Sequence, residues 1–168
     1  AENGRQFGVE NYDHVLFSYH GLPQRQLKKA DLTGSHCLQS PDCCSALSAK
    51  NQFCYSAQSY ATTRALAQKL NLPEGKFTTC FQSRLGKEVW TQPYTSEVIA
   101  QRASLGDKKL LVFSPAFVAD CLETIVEIGH EYRTEFLNLG GEQLDWVESL
   151  NDHPKWAQAV ADFIKKTR

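Results

Sequence analysis

Residues 12–23 read YDHVLFSYHGLP, and this stretch decides the fold. Its run of β-forming residues ends at His20, and Gly21 and Pro23 follow at once, which predicts a strand that leads into a loop. Two later stretches have the same form, FTTCFQS at 77–83 and KKLLVFS at 108–114. Residues 143–150, QLDWVESL, are expected to form a fourth strand.

Helical patterns separate these strands. The spacing predicts helices over 52–71, from a cap at Thr95 to about 104, over 120–138, and after a cap at Asn151 or Asp152. Residues 24–50 are polar and are expected to form a loop. Strands that alternate with helices build parallel sheets with helices on both faces. The expected fold is therefore α/β, a Rossmann-like three-layer domain with a four-stranded parallel sheet.

Length and charge exclude some classes of function. A chain of 168 residues is expected to be a single domain over 1–168. Its 18 Lys and Arg against 19 Asp and Glu give a net charge of −1, so a general nucleic-acid partner is not expected. Apolar runs are far shorter than the ~18 residues of a membrane span, and no secretory leader is visible. The chain has no Met and opens on Ala1, which suggests a piece of a longer protein.

Polar residues follow the predicted strands, where open α/β sheets bind ligands. His20 is either a structural histidine or an imidazole able to accept a proton near neutral pH. Glu123, Glu127 and Glu131 lie at i, i+4 and i+8, on one face of a helix. That stripe is either a solvated acidic face or a ladder that passes cations or protons. Cys121 beside it is either a buried residue or a soft metal contact.

The chain has six cysteines, and four of them lie within 18 residues, in a Cys-rich insertion over 35–55. The pattern of Cys37, Cys43, Cys44 and Cys54 lacks the paired knuckles of zinc sites. Without a secretory signal, disulfides are not favoured. Four thiolates in one loop suit an iron–sulfur cluster, with zinc, disulfides or plain surface thiols as alternatives and His36, Asp42 or Ser45 as substitute ligands.

Four ordered segments resemble the ferrochelatase family, whose members insert Fe²⁺ into a porphyrin at the end of haem synthesis. They are LFSYHGLPQR at 16–25, FQSRLGKEVWTQPYT at 81–95, FSPAFVADCLETIVEI at 113–128 and SLND at 149–152. The resemblance covers residue 12 to the C-terminus apart from the Cys-rich stretch. It implies a chelatase-like fold of two similar halves, of which this chain resembles the C-terminal one.

The resemblance also implies roles for individual residues. His20 and Glu123 fall on the catalytic histidine and glutamate, and Glu127, Glu131 and Cys121 on the metal or proton relay. The porphyrin-binding wall would comprise the side chains of Gln82, Ser83, Leu85 and Trp90. Some members carry a [2Fe-2S] cluster, which Cys37, Cys43, Cys44 and Cys54 would ligate here.

The activity that this resemblance implies is the insertion of Fe²⁺ into protoporphyrin IX by a parent enzyme, with the isolated half inactive. The partners would be porphyrin, ferrous iron and the N-terminal half of the same enzyme, in the cytoplasm or peripheral to the inner membrane. Two alternatives remain. One is a non-catalytic tetrapyrrole-binding or iron–sulfur redox-sensing module, and the other is a chelatase for a different tetrapyrrole.

Overall fold

The computed structural model describes residues 2–167 and contains one parallel sheet of four strands. The strands are β1 (His14–His20), β2 (Phe77–Gln82), β3 (Lys109–Phe113) and β4 (Gln143–Trp146), in the spatial order β2-β1-β3-β4. The predicted α/β class and four-stranded parallel sheet are confirmed. The fourth strand is shorter than the predicted 143–150: it ends at Trp146, and the N–H of Val147 still donates to the carbonyl of Val112 in β3 at 2.8 Å.

Helices connect the strands. They are α1 (Glu2–Arg5), α2 (Gln24–Lys29), α3 (Tyr55–Lys69), α4 (Thr95–Ser104), α5 (Arg133–Asn138) and α6 (Pro154–Lys166). A π-helical segment, Glu123–Tyr132, runs directly into α5, and a 3₁₀ turn covers Val9–Asn11. Helix α2 lies inside the stretch predicted to be loop, where Leu27 is buried and anchors it.

Alternation along β1 builds the core on both faces of the sheet. Val15, Phe17 and Tyr19 pack into one apolar cluster, whereas Leu16 packs into the opposite one. Every residue of β1 except His20 is buried. A central strand with two covered faces explains why this stretch reads as an almost continuous apolar run.

Two predicted helix caps are wrong. Tyr94, not Thr95, precedes α4, and the hydroxyl of Thr95 is buried against that of Ser18 at 2.8 Å. His153, not Asn151 or Asp152, caps α6, because its Nδ1 accepts from the backbone N–H of Lys155 at 3.2 Å. In both cases a tertiary contact or the position of Pro154 shifts the start of the helix.

Buried His14 makes stability depend on pH. Burial, and then the positive charge of Arg102, lowers its pKa from 6.5 to about 4. The unfolded chain therefore binds the extra proton between pH 6.5 and 4, so stability is complete above pH 6.5 and falls as the pH drops through this window. We expect a loss of up to about 3 kcal/mol in the free energy of unfolding.

Urea unfolding of the purified protein at pH 7.0, 5.5 and 4.5 measures this effect. His14→Gln cannot take up the proton and should flatten the curve over this window. An equally steep fall in that variant would place the pH dependence elsewhere in the protein.

Candidate functional site

Side chains from several elements meet at the carboxyl end of the sheet. His20 ends β1, Gln82 ends β2, and the π-helical segment begins at Glu123 after β3. Parallel strands bring their carboxyl ends to one edge, so the fold gathers residues that lie far apart in sequence. His20, Gln82 and Glu123 lie together at this edge.

His20 is held in one orientation. Its Nδ1–H donates to the carbonyl of Gly21 at 2.6 Å, and since a carbonyl can only accept, the proton of the neutral ring is on Nδ1. Its Nε2 therefore carries the free lone pair. The ring lies between two aromatic side chains, with centroids 6.2 Å from Trp90 and 6.0 Å from Phe117. The geometry leaves a proton acceptor in a partly exposed aromatic setting.

Glu123 lies at the same edge of the sheet as this histidine, close enough for their charges to interact. The thiol of Cys121 and the backbone N–H of Glu123 lower the pKa of the Glu123 carboxyl, and the charge of protonated His20 lowers it further. An ionised Glu123 can stabilise the imidazolium that forms when His20 accepts a proton. The structure thus brings together the two residues predicted to be catalytic.

Glu127, by contrast, is fully engaged within the protein. Its carboxylate accepts from the backbone N–H of Ser83 at 2.8 Å, from the Ser83 hydroxyl, from Gln82 Nε2 at 3.1 Å and from the Tyr132 hydroxyl at 2.8 Å. This hydrogen bond and burial keep the pKa of Tyr132 above its usual range, with burial the larger cause. Glu127 fixes the π-helical segment to the end of β2. Glu131, one step further, is exposed.

Gln82 links neighbouring elements of the site through hydrogen bonds. It is 2 % exposed, its Oε1 accepts from Ser18 at 2.7 Å, and its Nε2 donates to the carbonyl of Glu123 at 2.9 Å and to Glu127. The amide oxygen and the amide nitrogen of Gln82 therefore both form hydrogen bonds within the protein. Gln82 and Ser83 both bind the π-helical segment, and their predicted contact with a porphyrin stays a prediction.

Leu85 and Trp90 are placed differently, on the open side of the edge. Leu85 is 80 % exposed, and its carbonyl accepts from the indole N–H of Trp90 at 2.9 Å. The guanidinium of Arg84 stacks on the ring of Tyr94 at 4.5 Å, which folds the same loop back on itself. An exposed leucine beside a tethered indole offers a flat apolar surface next to His20.

The π-helical segment is a feature that the sequence analysis missed. The helix predicted over 120–138 begins at Glu123 and is π-helical through Tyr132. Such segments are rare and often occur at functional sites. Residue spacing did not reveal it, because the apolar positions in this stretch were interpreted with the period of an α-helix.

A second feature missed by the sequence analysis is a clamp between the loops that follow β3 and β4. The Asp120 carboxylate accepts from Asn151 Nδ2 at 2.8 Å and from the backbone N–H of Ser149 at 3.1 Å. In return, Asn151 Oδ1 accepts from the backbone N–H of Asp120 at 2.9 Å. Partial burial raises the pKa of Asp120, but the bonds from Asn151 and Ser149 outweigh it and lower the pKa overall. This clamp fixes the loop that leads to Glu123.

Gly129 on the π-helical segment is required by close packing. A Cβ at this position would lie 2.9 Å from the indole ring of Trp146 in β4. Gly→Ala inside a helix ordinarily stabilises by about 0.5–1 kcal/mol. Here we expect Gly129→Ala to destabilise instead, by about 1–3 kcal/mol, because the added methyl overpacks the contact.

Thermal or urea unfolding checks both the sign and the cause of this effect. The double variant Gly129→Ala/Trp146→Leu, whose smaller side chain relieves the clash, should lose less stability than the two single changes added together. If the stability losses of the two single variants simply add, the contact between Gly129 and Trp146 is not the cause of the effect.

The four clustered cysteines line one small cavity, together with Leu27, His36 and Asn51. Cys37 and Cys54 are buried, and the sulfur atoms of Cys43 and Cys44 are 3.7 Å apart. All six cysteines of the chain are free thiols. Within residues 2–167, no group of three or more His, Cys, Asp or Glu side chains is already arranged to hold a single metal ion.

Proton affinity differs strongly among these thiols. The hydrogen bond with Cys44 lowers the pKa of Cys54 to about 6 and raises that of Cys44. Burial, and then the neighbouring Cys54 and Cys43, raises the pKa of Cys37 to about 11. Cys54 is therefore more easily ionised than Cys37 or Cys44.

A larger cavity of about 480 Å³ lies between the ends of β3 and β4, α3 and the start of α6. Most of its wall is apolar and includes Phe117, whose ring also faces His20. The buried hydroxyl of Ser114 in this wall has no hydrogen-bond partner among the described residues. The cavity thus adjoins the histidine without containing it.

Comparison with known proteins agrees with this geometry. The family model for ferrochelatase matches residues 1–168. The chain is 47 % identical over 166 residues to a ferrochelatase of Pseudomonas entomophila (strain L48), covering 98 % of this chain and 49 % of the relative. It is 48 % identical over 165 residues to that of Pseudomonas fluorescens (strain SBW25), covering 98 % and 48 %.

A ferrochelatase of Azotobacter vinelandii (strain DJ / ATCC BAA-1303) is 46 % identical over 157 residues, covering 93 % of this chain and 46 % of the relative. The chain thus spans about half the length of the curated relatives it matches. With a family match along its whole length, the chain belongs to the ferrochelatase family.

Proposed function

We propose that the enzyme to which this chain contributes inserts Fe²⁺ into protoporphyrin IX, with His20 as the acceptor of pyrrole protons. The observation that carries this proposal is the tautomer of His20, which leaves Nε2 free at an edge shared with ionised Glu123 and near the rings of Trp90 and Phe117. Curated relatives that match the chain are named ferrochelatase, which supports the same reaction.

Metallation of a porphyrin needs two pyrrole N–H protons to leave and a hydrated Fe²⁺ to lose water. A neutral imidazole accepts a proton well near pH 7. Glu123 stabilises the imidazolium, and Glu127 together with Gln82 keeps the backbone of Glu123 in place. Glu131 is the exposed end of the stripe, where cations or protons exchange with solvent. A flat, rigid macrocycle must also bend, which enzymes achieve with binding energy from the rest of the ligand.

The porphyrin-binding surface that we propose consists of Leu85 and Trp90, with Gln82 and Ser83 as supports. A planar ligand needs a second wall, and the N-terminal half of the same enzyme is the proposed source. Large apolar side chains are exposed at this edge, among them Leu122 at 75 % and Ile125 at 52 %. Exposed apolar patches of this kind commonly mark interfaces.

Anaerobic assay of the full-length enzyme tests the proposal with a panel of porphyrins and metals. We expect Fe²⁺ to enter protoporphyrin IX faster than coproporphyrin III. Turnover of reduced tetrapyrroles alone would instead favour a different chelatase. Porphyrin binding without turnover of any pair would favour the non-catalytic module.

We also propose that Cys37, Cys43, Cys44 and Cys54 ligate a [2Fe-2S] cluster. Their four sulfur atoms line one cavity, which fits the usual all-cysteine ligand set. Two thiolates on one tetrahedral metal, with bonds of about 2.3 Å, lie roughly 3.8 Å apart, close to the 3.7 Å between Cys43 and Cys44. A bound cluster would supply one-electron chemistry and a rigid link across the loop.

Iron, sulfide and zinc counted on protein purified without oxygen test the cluster, together with a visible spectrum. We expect two iron and two sulfide per chain, and Cys44→Ser should lose both, whereas Cys80→Ser, a buried residue outside the cavity, should keep them. Zinc, or intact thiols without metal, would contradict the cluster and leave the chelatase proposal untouched.

No helix within the described residues 2–167 is long and apolar enough to cross a membrane. For the compartment we propose the cytoplasm, and the six free thiols support a reducing environment.

A further inference from the structure

Two consecutive peptide groups set the orientation of His20. In the first, the N–H of Gly21 donates to the carbonyl of Gln82 at 2.9 Å, and the carbonyl of His20 accepts from the hydroxyl of Tyr55 at 2.8 Å. In the second, the N–H of Leu22 donates to the hydroxyl of Thr91 at 2.8 Å, and the carbonyl of Gly21 accepts from the His20 ring. The orientation of the ring therefore depends on the orientation of these two peptide groups.

Tyr55 differs from the other partners in where it comes from. Gln82 and Thr91 belong to β2 and its following loop, whereas Tyr55 is the first residue of α3. The residue before it, Cys54, is the N-cap of that helix. A displacement of Cys54 is thus passed to Tyr55 through a single peptide bond.

Tyr55 also packs against the apolar cluster that contains two of the cysteines. This buried cluster is formed by Leu27, Cys37, Cys54 and Ala57. One side chain therefore joins the cluster that holds Cys37 and Cys54 to the backbone of His20.

The start of α3 is tied to the rest of the cysteine loop by Asn51. Its carbonyl accepts from the N–H of Cys54 at 2.9 Å, while its side-chain amide donates to the carbonyls of Cys43 at 3.0 Å and Ala46 at 2.9 Å. Asn51 is 5 % exposed, so these bonds are shielded from water. Any change in how the cysteines are held reaches the first turn of α3.

We propose that Tyr55 is a positioning residue that transmits the state of the cysteine site to His20 through its hydrogen bond to the His20 carbonyl. The proposal rests on the proposed function only in taking His20 as the proton acceptor. A well-ordered cysteine site keeps Tyr55 against the strand end and the imidazole in its productive orientation. Disturbing that site releases the carbonyl of His20, and the ring then samples other orientations.

The first test is Tyr55→Phe in the full-length enzyme, with Tyr60→Phe as the matched control. Tyr60 lies on the same helix near the same cysteines, but it has no contact with His20. Losing one hydrogen bond at a positioned base should lower kcat about fivefold, with the KM for porphyrin changed less than twofold. Equal kcat in the two variants, or a change confined to KM, would overturn the proposal.

The second test reads His20 directly and does not need turnover. Ring ¹⁵N signals of ¹⁵N-histidine-labelled protein should shift for His20 in Tyr55→Phe and stay unchanged in Tyr60→Phe. Cys37→Ser and Cys44→Ser should each shift the same signals in the parent protein, and much less in the Tyr55→Phe background. Shifts of equal size in both backgrounds would show that coupling does not pass through Tyr55.

A third measurement does not depend on the folding of any cysteine variant. Amide hydrogen exchange at Gly21 should be faster in Tyr55→Phe than in Tyr60→Phe, because the peptide plane loses one of its two anchors. Unchanged exchange would overturn the proposal. Full activity in His20→Ala would overturn the proposed function. The ¹⁵N signals of His20 in the Tyr55 and cysteine variants would still report whether Tyr55 couples the two sites.

Discussion

Replacing His20 with alanine is expected to lower the rate of iron insertion by the full-length enzyme at least ~100-fold, the usual contribution of a positioned general base. The imidazole presents a free Nε2 because its Nδ1–H is committed to the Gly21 carbonyl. Neither Gln82, an amide with its donors engaged, nor Trp90, which only donates, offers a neutral nitrogen in its place.

Initial rates with protoporphyrin IX and Fe²⁺ under anaerobic conditions measure this effect. His130→Ala is a matched control, because His130 is exposed on the π-helical segment. It should keep near-normal rates, and unfolding curves should show both variants folded. Near-normal turnover in His20→Ala would remove this histidine from the mechanism.

Glu123→Gln is expected to lower kcat strongly while leaving porphyrin affinity within about twofold. The change is nearly isosteric and keeps hydrogen-bonding capacity, but it removes the negative charge that stabilises a protonated His20. An interaction made mainly in the transition state affects kcat and kcat/KM together. We expect a loss of about 10- to 100-fold, smaller than that for His20 because the base itself remains.

A porphyrin titration by fluorescence quenching, run beside the rate assay, separates the two effects. Glu142→Gln, an exposed carboxylate at the opposite end of the sheet, is the matched control and should change neither quantity. A Glu123→Gln variant that binds porphyrin poorly but turns over normally would assign Glu123 to binding instead of catalysis.

Much of the fold could be predicted from the sequence, because strands in a parallel sheet are recognisable when both of their faces are buried. The stretches at 12–20, 77–83 and 108–114 gave three of the four strands to within about two residues. The fourth was overextended, since the apolar residues Val147 and Leu150 continue the pattern past the end of β4 at Trp146. Periodicity reports which residues are apolar, and it does not report where hydrogen bonding between strands ends.

The site could be predicted in part. His20 and Glu123 follow predicted strands, and the carboxyl edge of a parallel sheet brings such residues together. Gln82 is a residue whose role its position at a strand end does not decide. A glutamine at a strand end looks like a ligand contact in sequence, yet both ends of its amide bind within the protein. Only three-dimensional neighbours decide whether a polar group is free for a ligand.

The sequence by itself determined the β/α alternation, the position of the histidine at the end of a strand and of the glutamate after the third strand, and the clustering of four cysteines. These features depend on local composition and on spacing along the chain. The tertiary structure alone decided the π-helical turn at Glu123, the anchoring of Glu127 by Ser83 and Tyr132, and the contact from Tyr55 to His20. The three hydrogen bonds that anchor Glu127 and link Tyr55 to His20 join residues 5 to 44 positions apart, and which groups meet depends on how the sheet and helices pack, a property that no local pattern encodes.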